Sequence, residues 1–345
     1  MAREPLQGTT EVRDVHRFDI AALERYLRAH VPGFAGPLTV RQFRGGQSNP
    51  TYHLDTPERD YVLRRKPPGK LLPSAHAVDR EYRVITALAA TDVPVPRTHA
   101  LCEDPEVIGT IFYVMDCVSG RVLPDARLPD LAPAERAALC DAVNDVLARL
   151  HRVDWKAVGL ADFGRPGNYI ARQIHRWTQQ YRASETETIE AMERLIAWLP
   201  GHVPAEEDTT IVHGDFRLGN TVVHPTEPRI LAVLDWELAT LGNPLSDLAY
   251  TCMADGLLGA DPAAPGMPSE REFVAAYCRR TGRPRIEHWD FYVAFAMFRL
   301  AAIVQGIMGR VLAGTASDPN ARERVARVRP LAEAAWTLVE QHGGG

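Results

Sequence analysis

The sequence is poor in cysteine: five among 345 residues, odd in number, far apart and without a C-x-x-C pair. That spacing excludes a disulfide framework or a zinc knuckle and fits reduced thiols. A basic surplus is also missing, since 39 Lys and Arg face 44 Asp and Glu for a net charge of −5. A general nucleic-acid binder, which exchanges counterions for lysines and arginines, is disfavoured. Long apolar runs are absent as well. The longest, Phe291 to Phe298, stops at Arg299, short of the roughly 20 residues that cross a bilayer. Met1 to Thr10 contains no apolar core of a secretory signal. These absences predict a cytoplasmic protein with neither nucleic acid nor membrane among its partners, and leave a homodimer open. Three glycine signatures fail too. No G-x-G-x-x-G occurs, Gly69-Lys70 lacks the flanking residues of a P-loop, and Pro50 after Gly46-x-Ser48 spoils a hydrolase elbow.

What is present is an ordinary globular composition, 46% hydrophobic and 24% charged. The length suits two compact units. The first third reads as strands with a helix or two. Ile20 to His30 has helical spacing, Leu38 to Phe43 and Thr51 to Leu54 flank a glycine-bearing hairpin tip, and Tyr61 to Arg65 ends in a breaker cluster. Ala75 to Ala90 predicts a helix, and Arg97 to Leu101 and Ile108 to Met115 predict strands. After Asp116 to Gly120 the pattern turns helical: a long helix from Pro133, then Ile189 to Leu199, Glu270 to Thr281, Trp289 to Leu312 and Asn320 to Gln341. Ile211 to Asp235 interrupts with β-branched runs around polar turns. The fold class is therefore α+β, with a smaller β-rich unit over residues 1–118 and a larger helical one over 119–345.

The chemistry concentrates in that β-island. His213-Gly214-Asp215-Phe216-Arg217-Leu218-Gly219-Asn220 is followed by Leu234-Asp235-Trp236-Glu237. Phosphoryl transfer needs a carboxylate to accept the nucleophile's proton, plus an amide oxygen and a second carboxylate to hold Mg²⁺ on the phosphates. Asp215, Asn220 and Asp235 supply that inventory in the spacing H-x-D-x-x-x-x-N followed by a metal-binding Asp. Arg217 can bring positive charge to the transferring group. Each acid taken alone also reads as a turn former or strand end.

These motifs, with Gly242-Asn243-Pro244-Leu245-Ser246-Asp247-Leu248, Gly45-Gly46-Gln47-Ser48-Asn49 and Tyr61 to Pro67, resemble the aminoglycoside phosphotransferase and choline kinase group. The resemblance is strongest to the branch that includes kinase-like domains of acyl-CoA dehydrogenase family members, and it runs from about residue 38 to 255. It implies a two-lobed protein-kinase-like fold, with a small N-lobe and a mainly helical C-lobe. It implies ATP and Mg²⁺ as cofactors, Asp215 as catalytic base, and Asn220 and Asp235 as metal ligands. Arg64 matches the strand position that is Lys in protein kinases and the aminoglycoside enzymes and Arg in choline kinase. It would contact phosphates and pair with Glu81. A guanidinium fork there changes the geometry offered to the nucleotide.

Arg65 and Lys66 leave the register of that strand open, although alternation lets only Arg64 or Arg65 share a face with Val62. Gly45 and Gly46 would let backbone N–H groups approach the phosphates, with Ser48 and Asn49 adding polar contacts, or they form only a turn. Tyr113 to Val118 resembles a hinge whose backbone binds adenine, which puts Asp116 and Val118 at the nucleotide. His213 reads as a brace for the catalytic loop, Asp247 as a helix cap or a partner of that loop, and Glu237 as support for a second metal or a surface carboxylate. The arginines between 322 and 329 read as a solvated face, and the aromatic cluster at 291–298 as helical core.

The function this predicts is phosphorylation of a hydroxyl group on a small molecule, either a hydroxyacyl thioester or another hydroxylated metabolite, with an antibiotic as a wider alternative. A nucleotide-binding regulator without transfer activity is the rival class. A protein kinase is disfavoured, because Gly242-Asn243-Pro244 follows Asp235 too soon for an activation segment.

Overall fold

The computed structural model describes residues 8–44, 49–68, 76–205, 208–254, 256–257, 265–312 and 326–342. The chain forms two compact units, Met1–Arg121 with Leu231–Glu237, and Val122–Ile230 with Leu238–Gly345.

The first unit is built on an antiparallel sheet of β1 (Thr9–Thr10), β2 (Thr39–Phe43), β3 (Thr51–Asp55), β4 (Tyr61–Arg65), β5 (Thr98–Cys102) and β6 (Phe112–Asp116), in the order β1-β2-β3-β4-β6-β5. Strand alternation sorts β4. Tyr61 and Leu63 join a core with Leu23, Leu27 and Val31 of helix α1 (Ile20–His30) and its C-cap. Val62 and Arg64 therefore face the other way. Asp19 caps α1 by accepting the Ala22 N–H at 2.9 Å. Helix α2 (Val78–Leu88) buries Val78, Glu81, Val84, Ile85 and Leu88. Glu81 thus sits on the apolar stripe of its helix and must find partners there. The segment from Leu231 to Glu237 is tied to this unit by the Val233 N–H on the Pro94 carbonyl at 2.9 Å.

The second unit is mostly helical. Its elements are α3 (Pro133–Arg152), α4 (Tyr169–Ser184), α5 (Glu190–Trp198), α6 (Pro244–Ala254), α7 (Glu270–Thr281), α8 (Trp289–Leu312) and α9 (Val328–His342). Strands β7 (Thr210–Val212) and β10 (Thr240–Gly242) pair antiparallel, with Val212 opposite Thr240. Strand β8 (Thr221–Val223) is followed by a turn in which the His224 N–H donates to the Arg229 carbonyl at 2.8 Å, and strand β9 (Ile230–Val233) runs on into the segment counted with the first unit. Helix α8 packs on α4, α6 and α9. Its stretch Trp289–Ile307 is long and apolar enough to cross a membrane, and 67% of that stretch is buried inside the protein. Apolar residues on all sides of a helix suit the middle of a helical unit.

The predicted strand from Ile108 begins only at Phe112, because Gly109, at φ +85°, turns the chain after the Pro105 carbonyl accepts its N–H. The helix predicted from Asn320 is seen from Val328, and the residues between 313 and 325 lie outside the described ones. Helix α4 lacks a counterpart among the sequence expectations. Its buried stripe, Ile170, Ile174, Trp177 and Tyr181, has helical spacing but is diluted by Arg and Gln.

Candidate active site

In the first unit one buried and two partly exposed carboxylates converge on the buried Arg64. Its Nε lies 2.9 Å from Glu81 Oε2, and its Nη2 lies 2.5 Å from Asp235 Oδ1 and 3.5 Å from Glu237 Oε2. Two more donors complete Glu81: Asn49 Nδ2 to Oε1 at 2.9 Å and the Tyr113 hydroxyl to Oε2 at 3.2 Å. Burial works against the charge on Arg64, but the surrounding carboxylates outweigh it and push the guanidinium's pKa up. Glu81 is moved up by burial, against the pull of Arg64. Tyr113 is also pushed up, by burial and then by Glu81, so its phenol stays a donor.

Arg65 has a different setting. It donates to the Tyr52 hydroxyl at 3.1 Å and to the carbonyls of Ile108 and His16 at 3.0 and 2.8 Å, and its guanidinium lies over the Phe18 ring. The register question between the two arginines is answered by these partners. Arg64, not Arg65, meets Glu81.

Asn49 is fully buried, its amide shared between Glu81 and His76, which lies 3.0 Å from its Oδ1. Gly45, Gly46 and Ser48 lie outside the described residues. Asp116 donates its N–H to the Arg97 carbonyl at 2.8 Å, and its carboxylate meets His99 at 2.7 Å and Arg59 at 3.2 Å. Val118, two residues on, is half-buried. Asp235 has φ +66°, a backbone state that Asp tolerates better than most residues and that gathers at functional sites.

In the second unit the loop after β7 carries Asp215. Gly214 enters it at φ +85°, where a Cβ would lie 2.8 Å from the Leu238 Cβ, so only glycine fits. Asp247, fully buried in the first turn of α6, accepts the N–H groups of His213 at 2.6 Å and Gly214 at 2.8 Å. Burial pushes Asp247 up, but His151 and the donors from His213 outweigh it and hold its carboxyl below the ordinary range. Of the two sequence readings of Asp247, the contact with the loop is thus present. The His213 ring braces the loop as expected, with Nδ1 accepting the Asp215 N–H at 3.2 Å.

The Asp215 carboxylate is held at both oxygens. Asn220 Nδ2 donates to Oδ2 at 2.7 Å and to the Asp215 carbonyl at 2.9 Å. The Tyr250 hydroxyl donates to Oδ1, and Arg217 Nε lies 3.5 Å from Oδ2. A carboxylate has about four acceptor positions, so these contacts leave room for a substrate hydroxyl. Because Asn220 uses its nitrogen here, its oxygen is not part of the contact with Asp215. Arg299, buried in α8, donates to the Gly214 carbonyl at 2.5 Å and lies over the rings of Trp177 and Tyr250.

Sequence reading passed over the Tyr113 hydroxyl, Tyr250 and Arg299. Tyr250 is 35 residues from Asp215 and Arg299 is 85 from Gly214, separations at which no motif spacing operates.

Residues 39–292 match the model of the phosphotransferase enzyme family. The chain belongs to that family. Similarity to known proteins runs along most of the length. The chain is 46% identical over 347 residues to mouse acyl-CoA dehydrogenase family member 10, covering 97% of this chain and 32% of that protein, so it spans about a third of the relative's length. A crystal structure of a putative aminoglycoside phosphotransferase from Ralstonia eutropha is 54% identical, with a TM-score of 0.85 over 94% of this chain and 99% of the other. An aminoglycoside phosphotransferase in ternary complex with ADP and hygromycin B, 18% identical and covering 94% and 99%, shares the fold with a TM-score of 0.61. The phosphotransferase fold here is therefore the protein-kinase-like one expected from the motifs.

Proposed function

We propose that the chain is an ATP- and Mg²⁺-dependent kinase that phosphorylates a hydroxyl group on a small molecule. The observation that carries the reading is the Asp215 carboxylate, fixed at both oxygens and still 23% exposed at its side chain. A fixed carboxylate that can still be reached is what proton abstraction from an alcohol needs. As the hydroxyl oxygen bonds to the γ-phosphorus and the bond to ADP breaks, Asp215 takes the hydroxyl proton.

Among the described residues no three His, Cys, Asp or Glu groups form a ready metal cluster. Mg²⁺ suits the residues present all the same, because it is bound by one or two side-chain oxygens with water and substrate phosphates completing its shell. Asp235 offers a partly exposed carboxylate on a left-handed backbone, and Asn220 an amide oxygen not used on Asp215. When bound, the ion would neutralise charge on the phosphates. Arg64, paired with Glu81, is the fork for the α- and β-phosphates. The nucleotide-bound neighbour described above supports ATP as donor.

The acceptor we favour is a hydroxyacyl thioester. The name of the mouse relative points to acyl-CoA, and the wider resemblance keeps aminoglycosides in view. The test is a thermal-shift series with Mg·ATP followed by a phosphate-transfer screen over hydroxyacyl-CoA esters, other hydroxylated metabolites and aminoglycosides. Transfer to one of these is expected. Stabilisation by nucleotide with no transfer to any acceptor would favour the regulatory binding protein.

A further inference from the structure

We propose that Tyr250 is a positioning residue for phosphoryl transfer, its hydroxyl orienting the Asp215 carboxylate for the acceptor hydroxyl. The inference rests on the reading of Asp215 as base and adds what holds that base in line.

Asn220 alone does not suffice for this. It reaches only Oδ2 and the Asp215 main chain, so the opposite oxygen would be free to swing about the Cβ–Cγ bond. The Tyr250 hydroxyl takes that opposite oxygen. Two donors on two oxygens, from separate elements of one unit, define the plane of the carboxylate.

Tyr250 and the loop it serves are held from two helices. Tyr250 lies on α6, three residues after Asp247, which holds the His213 and Gly214 N–H groups, so one helix clamps the loop at its backbone and at its functional side chain. Arg299 lies 5.4 Å above the Tyr250 ring and holds the Gly214 carbonyl from α8. Burial, then the Asp215 charge, push the phenol well above its ordinary range, against Arg299 and Arg217. Tyr250 is thus a fixed donor and does not compete with Asp215 for the acceptor's proton. A residue that only filled the core would need no hydroxyl there, and phenylalanine would serve as well.

The experiment uses the full chain, Mg·ATP and water as acceptor, with release of inorganic phosphate as the readout. Tyr250→Phe, which keeps the ring and the packing, is expected to lower kcat by about ten- to a hundredfold, the range for loss of a hydrogen bond to a charged group. KM for Mg·ATP should stay unchanged. Asp215→Asn is the reference for loss of the base. Wild-type turnover with Tyr250→Phe equal to it would overturn the positioning role alone. Wild type and Asp215→Asn equal to each other would overturn the base assignment, and the positioning role with it.

A second readout needs no turnover. In protein labelled with fluorotyrosine, the fluorine NMR signal that Tyr250→Phe deletes should move when Asp215→Asn is introduced. An unmoved signal would show that the phenol does not sense the carboxylate, which also overturns the proposal.

Discussion

The two acidic centres differ in what mainly balances them, although an amide and a phenol also reach Glu81 in the first and Arg217 stands 3.5 Å from Asp215 in the second. In the first unit Glu81 and Asp235 are matched by a full positive charge, Arg64, at 2.9 and 2.5 Å. In the second, Asp215 and Asp247 are matched mainly by neutral donors: a phenol, an amide and two backbone N–H groups. Ion pairs are strong but exchangeable, since a guanidinium can give up one anion for another. Neutral hydrogen bonds are directional and hold a group in one orientation. The first arrangement suits a site that must receive phosphates, and the second suits a group that must point at one proton.

The comparison breaks most clearly at Asp215. Asp215→Asn should lower transfer by roughly a hundredfold to ten-thousandfold, the span of general base catalysis, and leave nucleotide binding in place. Asp235→Asn should do the reverse and abolish Mg²⁺-dependent ATP binding, which calorimetry would read. Similar binding by both variants would erase the division of labour.

Next in size is Arg64→Met. It leaves Glu81 buried at 1% side-chain exposure without its counter-charge, at a cost of about 3–5 kcal/mol in unfolding free energy. Adding Glu81→Gln should recover much of the stability but not ATP binding. Recovery of both would mean that the pair serves packing only.

The smallest effect is expected at Asp247. Its carboxyl is held below the ordinary range in the folded protein, so its contribution is complete above about pH 4 and is lost as pH falls through the lowered folded value. Asp247→Asn should lower stability by about 1–3 kcal/mol at neutral pH, because it weakens acceptance of two buried N–H groups. Its melting temperature should also fall less steeply in acid than that of wild type. Equal acid sensitivity would show that Asp247 does not carry the charge in this network.

Much of the candidate site is legible in residue spacing alone. The H-x-D-x-x-x-x-N spacing works because Asp215 and Asn220 lie on one short loop, and their contact is local. Alternation along β4 requires that Arg64 and Arg65 part. It does not say which one meets Glu81, since that depends on the face to which α1 and α2 are packed. Asn49 reads as a phosphate contact at a hairpin tip, yet its amide lies against Glu81 and His76, partners brought to it only by the folding of α2. Helix α6 is buried along nearly its whole length, so no amphipathic stripe announces the role of Tyr250.

The sequence by itself determined the chemistry on offer: which carboxylates, which amide and which arginine, in spacings that short loops and strand alternation convert into place. Those relations act over a few residues, where backbone geometry leaves little choice. The tertiary structure alone decided how each group is held. Tyr250 and Arg299 meet the loop of Asp215 from helices 35 and 85 residues away in sequence, and such contacts follow from helix packing rather than local geometry.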